Sequence, residues 1–374
     1  MILTAITVFL FCYGFSWMAT FLIIRVARRI EFVDRPGGRK VHEGNVPLGG
    51  GVAIFLGTLA PVLLGYILTT QRPWMLPESV RVQVGQLPLL AQHLLILWSG
   101  AAVLMVMGLI DDRWDLSPYL RLAVQFAVAT SVYVLSYLAA GEDPEQIKLG
   151  APVFMEHPFV QGALTVLWIV GLTNAFNFLD NTDGLCAGVA FVCSAVLLRV
   201  AWQQQQPMIV ASLIAFMGGL AGFLLFNFPP ARIFMGDAGS TFIGYYMAIM
   251  SMGVIYSRPG QEPPHPLLAI VIPVLVMIMP IYDAGTVIFM RIKERRSPFK
   301  PDRRHFSHRL LALGMTRAEV LATVYMVVFA IGVSATLLPE VDLWGGIVLI
   351  VQAAVILSLI TLLENAGRRT RREP

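Results

Sequence analysis

Two adjacent carboxylates, Asp111 and Asp112, are residues whose type and position could perform chemistry. They follow an apolar stretch, so they would lie where a buried segment meets water, and Asp115 follows closely. Neighbouring carboxylates repel each other unless a cation or a hydrogen-bond donor offsets their charge. The pair therefore indicates either an ion-binding site or a solvated loop that caps the next helix.

A second polar group recurs at every third position between two apolar stretches: Asn174, Asn177, Asp180 and Asp183. A continuous helix would spread these side chains over about half of its circumference. The pattern instead favours a helix that ends near Asp180, with Gly184 allowing the chain to turn, so that the four side chains converge. Carboxylate and amide oxygens suit Mg²⁺ or Mn²⁺ and not Zn²⁺. A helix end decorated with turn-forming Asn and Asp is the simpler alternative.

A third segment places Asp237 between Gly236 and Gly239. Glycine beside a carboxylate lets the backbone approach a ligand or an ion closely. Ser240 or Thr241 could cap the helix that follows, and the N-terminus of a helix attracts phosphate. The same pattern also describes an ordinary capped turn.

Two basic segments could hold phosphate groups. One contains Arg304, His305 and His308, and the other contains Lys40 and His42 ahead of three consecutive glycines. Arginine, lysine and protonated histidine bind phosphate oxygens through charge-assisted hydrogen bonds, although positive charge can also serve only to set membrane orientation. Acidic and basic segments together predict phosphoryl transfer, in which a cation neutralises phosphate oxygens and a carboxylate can accept a proton.

The elements that must position these residues are long apolar segments. The chain has 374 residues, of which 57% are hydrophobic and 13% charged, against about 45–50% and about 25% in soluble domains. Segments of about 20 apolar residues cross the hydrocarbon core as helices. Eleven are predicted, near 2–25, 48–69, 91–110, 119–139, 160–177, 185–202, 208–228, 239–257, 267–290, 318–338 and 343–363. We therefore expect an all-α polytopic membrane protein with residues 1–374 in one domain.

Lysine and arginine predict the orientation of the spans. Of the 27 basic residues, 22 fall in one of two alternating sets of loops, namely 25–47, 111–121, 229–238, 291–317 and 364–374. This distribution places the N-terminus outside, and it places the C-terminal basic tail and the polar segments on the cytoplasmic side. The net charge of +4 thus reflects topology and contact with anionic membrane lipids, and no nucleic-acid partner is expected.

The order of these motifs resembles that of the polyprenyl-phosphate N-acetylhexosamine-1-phosphate transferases of glycosyltransferase family 4. The motifs are Asp-Asp-x-x-Asp from Asp111, Asn-x-x-Asn-x-x-Asp-x-x-Asp-Gly from Asn174, Gly-Asp-x-Gly-Ser from Gly236 and Asp-x-x-His-x-x-His from Asp302. The resemblance implies Mg²⁺-dependent transfer of a sugar 1-phosphate from a UDP-N-acetylhexosamine to undecaprenyl phosphate, with release of UMP. It also implies a site on the cytoplasmic face of the bacterial plasma (inner) membrane.

Within the family, the sequence is most similar to the N-acetylglucosamine branch, which initiates lipid-linked cell-surface glycans. The muramoyl-pentapeptide branch typically has consecutive histidines in the last loop, whereas His305 and His308 are separated here. Three positions depart from the pattern. Ser307 stands where the N-acetylglucosamine branch usually has His, and Asn181-Thr182 stands where Gly and another residue are common. Phospho-N-acetylmuramoyl-pentapeptide transferase activity stays an alternative on the same fold.

The resemblance also implies a role for each candidate residue. Asn177 and Asp237 would hold the metal ion, Mg²⁺ or else Mn²⁺. Asp111 and Asp112 would be the catalytic carboxylates that orient or deprotonate the lipid phosphate. The others would bind nucleotide, phosphates or sugar: Lys40, His42, Asn174, Asp180, Asp183, Arg304, His305 and His308. The sequence leaves open a covalent aspartyl intermediate and a homodimer, but it favours direct attack because the lipid phosphate is already an anionic nucleophile.

Two other classes of membrane protein share some of these features. A proton-coupled transporter would place ionisable groups near the bilayer midplane, often at the interface of a repeat. Here the groups lie at one edge, and no repeat is visible. A divalent-cation channel would need acidic residues at both mouths, and the predicted outer loops lack such a cluster.

Overall fold

The computed structural model describes residues 2–35, 44–71, 87–140, 157–254, 266–297 and 305–370. Lys40, His42 and Arg304 lie outside these residues, and so does the end of the basic tail. The helices are α1 (Ile2–Arg29), α2 (Gly50–Gln71), α3 (Leu87–Trp114), α4 (Pro118–Ala140), α5 (Pro158–Leu179), α6 (Leu185–Gln203), α7 (Pro207–Asn227), α8 (Gly236–Gly253), α9 (Pro266–Val276), α10 (Ile278–Lys293), α11 (Phe306–Ala312), α12 (Arg317–Ala335) and α13 (Leu343–Thr370). Strands β1 (Val33–Asp34) and β2 (Val46–Pro47) pair antiparallel.

The predicted class, an all-α polytopic membrane protein, is confirmed. Among the described residues, nine helices are long and apolar enough to cross a membrane, namely α1 to α7, α12 and α13. The two other predicted spans correspond to α8 and to the pair α9 and α10. The count of eleven spans and the orientation stay predictions.

The predicted span 267–290 is divided into α9 and α10, which is a difference from the expected single helix. Proline has no N–H group, so Pro280 cannot donate to the carbonyl of Val276 four residues earlier. The Cys193 thiol of α6 donates to that carbonyl instead, at 3.1 Å. The interruption therefore has a local cause in the sequence, and its free carbonyl is satisfied from a neighbouring helix.

Helix α8 is the central element of the fold, since nearly all of its residues are buried. It packs against α2, α3 and α5. A Cβ atom added at Gly108 would lie 2.4 Å from the Cα of Ala238, and one at Gly51 would lie 2.2 Å from the nitrogen of Gly239. The backbones of three helices thus meet at the start of α8, and this contact brings the polar end of α3 beside Asp237.

The end of α5 follows the sequence prediction. The helix ends at Leu179, Asp180 is its C-cap, and Gly184 adopts a positive φ of 76°. The amide of Gly184 donates to Asn227 Oδ1 at 2.9 Å, and its carbonyl accepts from the Tyr325 hydroxyl at 2.6 Å. The turn is therefore held from both α7 and α12.

Candidate active site

Asp237, in the first turn of α8, is the centre of a group of polar side chains. Asn177 Nδ2 donates to Asp237 Oδ1 at 2.9 Å and to Ser240 Oγ at 2.9 Å. Arg121 Nη1 of α4 donates to Asp237 Oδ2 at 3.2 Å and to Asp111 Oδ2 at 2.7 Å. Helices α3, α4, α5 and α8 each contribute a side chain, and we call the set Asp111, Asp112, Arg121, Asn177, Asp180 and Asp237 the acidic cluster.

The two adjacent carboxylates of α3 have different partners. Asp111 is buried and accepts from the Leu116 amide at 2.7 Å in addition to Arg121. Asp112 accepts from the amides of Asp237 at 2.8 Å and Ala238 at 3.4 Å. A carboxylate at this position is favourable, because the first amides of a helix lack partners within it and carry partial positive charge.

The expectation that Ser240 or Thr241 caps α8 is therefore wrong. Ser240 and Thr241 donate back to the carbonyls of Gly236 at 3.1 Å and Asp237 at 2.6 Å, so neither caps α8. Asp112, which is distant in sequence, bonds to the first amides instead. The glycines serve packing, since Gly236 has a positive φ of 70° and a Cβ there would lie 2.3 Å from the Asp112 carboxylate.

The other residues predicted around α5 are less closely grouped. Asp183 Oδ2 accepts from Arg317 Nη1 at 2.9 Å and from the Ala231 amide at 3.2 Å, so it links α12 and the loop before α8. Asn174 Nδ2 donates to Gln125 Oε1 at 2.6 Å. The predicted substrate contacts of Asp183 and Asn174 stay predictions, since both side chains already have structural partners.

Asp180 lies at the end of α5, and no donor within the described ranges reaches its carboxylate. Burial raises the pKa of this carboxyl to about 8, and the negative charges of Asp112 and Asp183 raise it further in the same direction. Asp180 is thus the carboxylate of the acidic cluster with the most to gain from a nearby cation.

A second group of residues lies beside the C-terminal end of α5, and we call Asp283, His305, Ser307 and His308 the histidine cluster. His305 Nδ1 lies 2.9 Å from Asp283 Oδ2, and the ring centroids of His305 and His308 are 6.4 Å apart. The Ser307 hydroxyl donates to Asn181 Oδ1. Ser307 and Asn181, two of the departures from the expected family pattern, therefore contact each other directly.

The residues of the acidic cluster fit a magnesium ion. Within the described ranges, no three His, Cys, Asp or Glu side chains form a ready-made ligand set. Magnesium commonly binds one or two carboxylates and completes its shell with water and substrate phosphates, so a partial protein site suits it. Asn177 donates from its nitrogen to Asp237, so its carbonyl oxygen is the atom that would serve as a further oxygen ligand.

Two functional candidates escaped the sequence analysis. Arg121 is the only charged residue between Asp115 and Glu142, and this isolation could have marked it as a functional candidate. An arginine at the end of a span is, however, also an ordinary flanking charge. Asp283 lies within the predicted span 267–290. Its pairing with His305 spans 22 positions and cannot be read from local spacing.

Comparison with known proteins gives a consistent set of relatives. Residues 94–255 match the model of the glycosyl transferase family 4. A probable undecaprenyl-phosphate N-acetylglucosaminyl 1-phosphate transferase of Bacillus subtilis (strain 168) is 31% identical over 343 residues, covering 91% of this chain and 86% of the relative.

Two further relatives are similar over comparable lengths. The decaprenyl-phosphate N-acetylglucosaminephosphotransferase of Mycobacterium leprae (strain TN) is 31% identical, covering 95% of this chain and 88% of the relative. The undecaprenyl-phosphate alpha-N-acetylglucosaminyl 1-phosphate transferase of Escherichia coli (strain K12) is 27% identical, covering 94% and 89%. Similarity over nearly the whole length, together with the convergence of the motif residues at one site, shows that the chain belongs to the glycosyl transferase family 4.

Proposed function

We propose that the protein transfers N-acetylglucosamine 1-phosphate from UDP-N-acetylglucosamine to undecaprenyl phosphate and releases UMP. The reaction would begin a lipid-linked cell-surface glycan at the cytoplasmic face of the bacterial plasma membrane. The observation that carries the proposal is the convergence of Asp111, Asp112, Asn177 and Asp237 at the ends of membrane helices. Such a site can meet a lipid phosphate whose tail stays in the bilayer.

The names of the relatives support the choice of sugar. The Bacillus subtilis, Mycobacterium leprae and Escherichia coli proteins all carry N-acetylglucosamine in their names. They differ in the lipid, which is decaprenyl phosphate in one and undecaprenyl phosphate in the others. The names therefore agree on the sugar but not on the length of the polyprenyl chain. None of them supports the muramoyl-pentapeptide alternative.

The proposed chemistry is a displacement at phosphorus. An oxygen of the lipid phosphate attacks the sugar-bearing β-phosphorus of the UDP-sugar, and the bond from that phosphorus to the bridging oxygen breaks. UMP leaves with that oxygen and its electron pair. Asp111 and Asp112 would orient the lipid phosphate or accept its proton, as carboxylates near the reacting group can.

Positive charge is needed where the phosphates of the two substrates would meet the carboxylates of the acidic cluster. Mg²⁺ held by Asp237 and Asn177 would neutralise the phosphate oxygens of the UDP-sugar, and Mn²⁺ could substitute. Arg121 already offsets the charges of Asp111 and Asp237 through its two ion pairs. Its side chain is 28% exposed, which leaves it accessible to a phosphate group as well.

A single assay tests the proposal. Purified protein in detergent is incubated with Mg²⁺, undecaprenyl phosphate and a panel of UDP-sugars that includes UDP-N-acetylmuramoyl-pentapeptide, and UMP release is measured. We expect UMP only with UDP-N-acetylglucosamine, and we expect EDTA to stop the reaction until excess Mg²⁺ restores it. Release from the pentapeptide substrate would favour the alternative branch, and no release from any UDP-N-acetylhexosamine would refute the proposal.

Asp237→Ala tests the assignment of the site. We expect it to lower UMP release by at least about 10²-fold, the scale lost when one strong electrostatic contribution to a transition state is removed. The matched control is Glu31→Ala, which removes an exposed carboxylate on the same predicted face and should leave activity unchanged. Near-normal activity of a folded Asp237→Ala protein would show that Asp237 does not hold the ion.

A further inference from the structure

We propose that Asp283 is a positioning residue that fixes the ring of His305 and selects Nε2 as the nitrogen facing the UDP-sugar. The proposal deepens the proposed function and rests on it, because it takes His305 to be a substrate contact. Asp283 lies in α10, whereas His305 immediately precedes α11, so the two residues join separate elements. Nothing in the spacing of the histidines indicates this pairing.

The carboxylate of Asp283 is completely buried, and both of its oxygens are used. Oδ2 lies 2.9 Å from His305 Nδ1, and Oδ1 accepts from the Phe306 amide at 2.6 Å. A buried carboxylate is costly unless it is paired and hydrogen-bonded. Here both partners belong to consecutive residues, so the carboxylate fixes the backbone and the ring at the same place.

This arrangement decides which nitrogen of His305 carries a proton. An ionised carboxylate only accepts hydrogen bonds, so Nδ1 must be the donor to Asp283. Nε2 is then the nitrogen left to contact another group, as an acceptor in the neutral ring or as a donor in the protonated ring. The carboxylate therefore selects both the orientation and the tautomer of the imidazole.

The surroundings of the ring place it beside the acidic cluster. The rings of His305 and Phe178 of α5 make a T-shaped contact with their centroids 6.0 Å apart, and Phe178 directly follows Asn177. Ser307 bonds to Asn181 just beyond the end of the same helix. The histidine cluster is thus attached to the end of α5 that also bears Asn177 and Asp180, where a substrate of the acidic cluster would extend.

Asp283→Asn gives a sharp test because it preserves the shape and both hydrogen bonds. The Asn oxygen would accept from the Phe306 amide, and its nitrogen would donate to His305 Nδ1. The neutral ring would then carry its proton on Nε2, which inverts the tautomer. ¹⁵N-histidine NMR of the wild type and this variant should show Nδ1–H and Nε2–H, respectively, with His305→Gln used to assign the signal.

The kinetic expectation separates positioning from general damage. We expect Asp283→Asn to lower kcat/KM for UDP-N-acetylglucosamine by about 10–100-fold, the scale for loss of an orienting partner of a functional histidine. KM for undecaprenyl phosphate should stay unchanged. The control is Glu364→Gln in α13. It alters the buried ion pair in which Glu364 Oε2 lies 3.0 Å from Nε of Arg309, a residue of α11, and it leaves the pair of Asp283 and His305 in place. It should keep kcat/KM.

A second pair of variants tests the role of Nε2 without changing Asp283. The terminal amide of Gln can reach the place of Nε2 and present its oxygen as an acceptor or its nitrogen as a donor, whereas the amide of Asn reaches only as far as Nδ1. His305→Gln should therefore retain more activity than His305→Asn. Equal loss in both, a wild-type ring that carries Nε2–H without Nδ1–H, or unchanged kcat/KM in Asp283→Asn would each overturn the proposal.

The failure of the proposed function would be distinguishable. If the wild-type protein releases no UMP from any UDP-sugar, the proposed function fails, and the substrate role of His305 fails with it. The tautomer selected by Asp283 would still be decided by the NMR measurement. If the wild type is active but the variants behave contrary to expectation, only the positioning role of Asp283 fails.

Discussion

At the scale of single residues, the carboxylates of the site differ in how well their charges are compensated. Asp111 pairs with Arg121 at 2.7 Å, and Asp183 pairs with Arg317 at 2.9 Å. Asp180 has no donor among the described residues, and burial and its acidic neighbours raise its pKa to about 8. Ionised Asp180 therefore lowers the stability of the folded protein, as is common for groups that act on a ligand.

The sign of this cost can be tested by thermal unfolding in EDTA. The pKa of Asp180 is higher in the folded protein than the ordinary value of 3.8, so the folded state binds more protons, and stability falls as pH rises from about 4 to about 8. Asp180→Asn cannot titrate, so its Tm should exceed that of the wild type by an amount that grows over this range.

Asp183→Asn is the control with the opposite expected sign. It weakens the ion pair to Arg317 and should lower Tm at pH 7. Excess Mg²⁺ should reduce the advantage of Asp180→Asn, since a cation offsets the same repulsion in the wild type. An Asp180→Asn protein with a lower Tm at pH 8 in EDTA would contradict the description of Asp180 as an uncompensated charge.

At the scale of elements, the start of α8 decides the geometry of the site. Gly236 has a positive φ of 70°, and its missing Cβ leaves room for the Asp112 carboxylate. Gly108 and Gly51 allow α3 and α2 to approach the same turn. The glycine-rich motif around Asp237 thus positions carboxylates, whereas the sequence alone suggested approach of a ligand.

Gly236→Ala should therefore damage both folding and activity. A non-glycine residue in the left-handed region costs about 1–3 kcal/mol, and the added Cβ would displace the Asp112 carboxylate that caps α8. We expect a lower Tm in detergent and loss of UMP release.

The matched control is Gly171→Ala in α5, where an added Cβ would meet nothing within 4 Å. Alanine is the better helix former by about 1 kcal/mol, so this variant should keep or slightly raise Tm and should keep activity. If Gly236→Ala behaved like Gly171→Ala, the packing of α8 against Asp112 would not be needed for the site.

At the scale of the whole molecule, orientation in the membrane decides which pool of substrate the site meets. The excess of Lys and Arg in one set of loops predicts that the acidic cluster faces the cytoplasm. Nucleotide sugars are cytoplasmic solutes, so the proposed function depends on this orientation. The fold is compatible with it, since the polar ends of α3 and α5 and the start of α8 meet at one edge.

Cysteine labelling tests the orientation directly. Gln71→Cys lies at the exposed end of α2, on the predicted outer side, and Arg296→Cys lies after α10, on the predicted inner side. A membrane-impermeant maleimide should label the first variant in intact cells and the second only after permeabilisation. The native Cys12, Cys186 and Cys193 are buried and should give little background. The reverse labelling pattern would overturn the predicted topology.

The sequence by itself determined the class of the protein and most of the candidate residues. Apolar segments of membrane-spanning length predict helices, because backbone groups in lipid must bond within their own segment. The helix end near Asp180 and the turn at Gly184 also followed from local residue preferences. These features depend on short-range properties of the chain, which spacing and composition encode.

Only the tertiary structure decided which polar groups act on one another. Arg121 and Asp237 are 116 positions apart, yet one guanidinium joins Asp237 to Asp111. Asp112 caps a helix that begins far along the chain, and Asp183 bonds to Arg317. Such contacts depend on how closely helices pack and at which rotation, and the spacing of residues within one helix does not specify either.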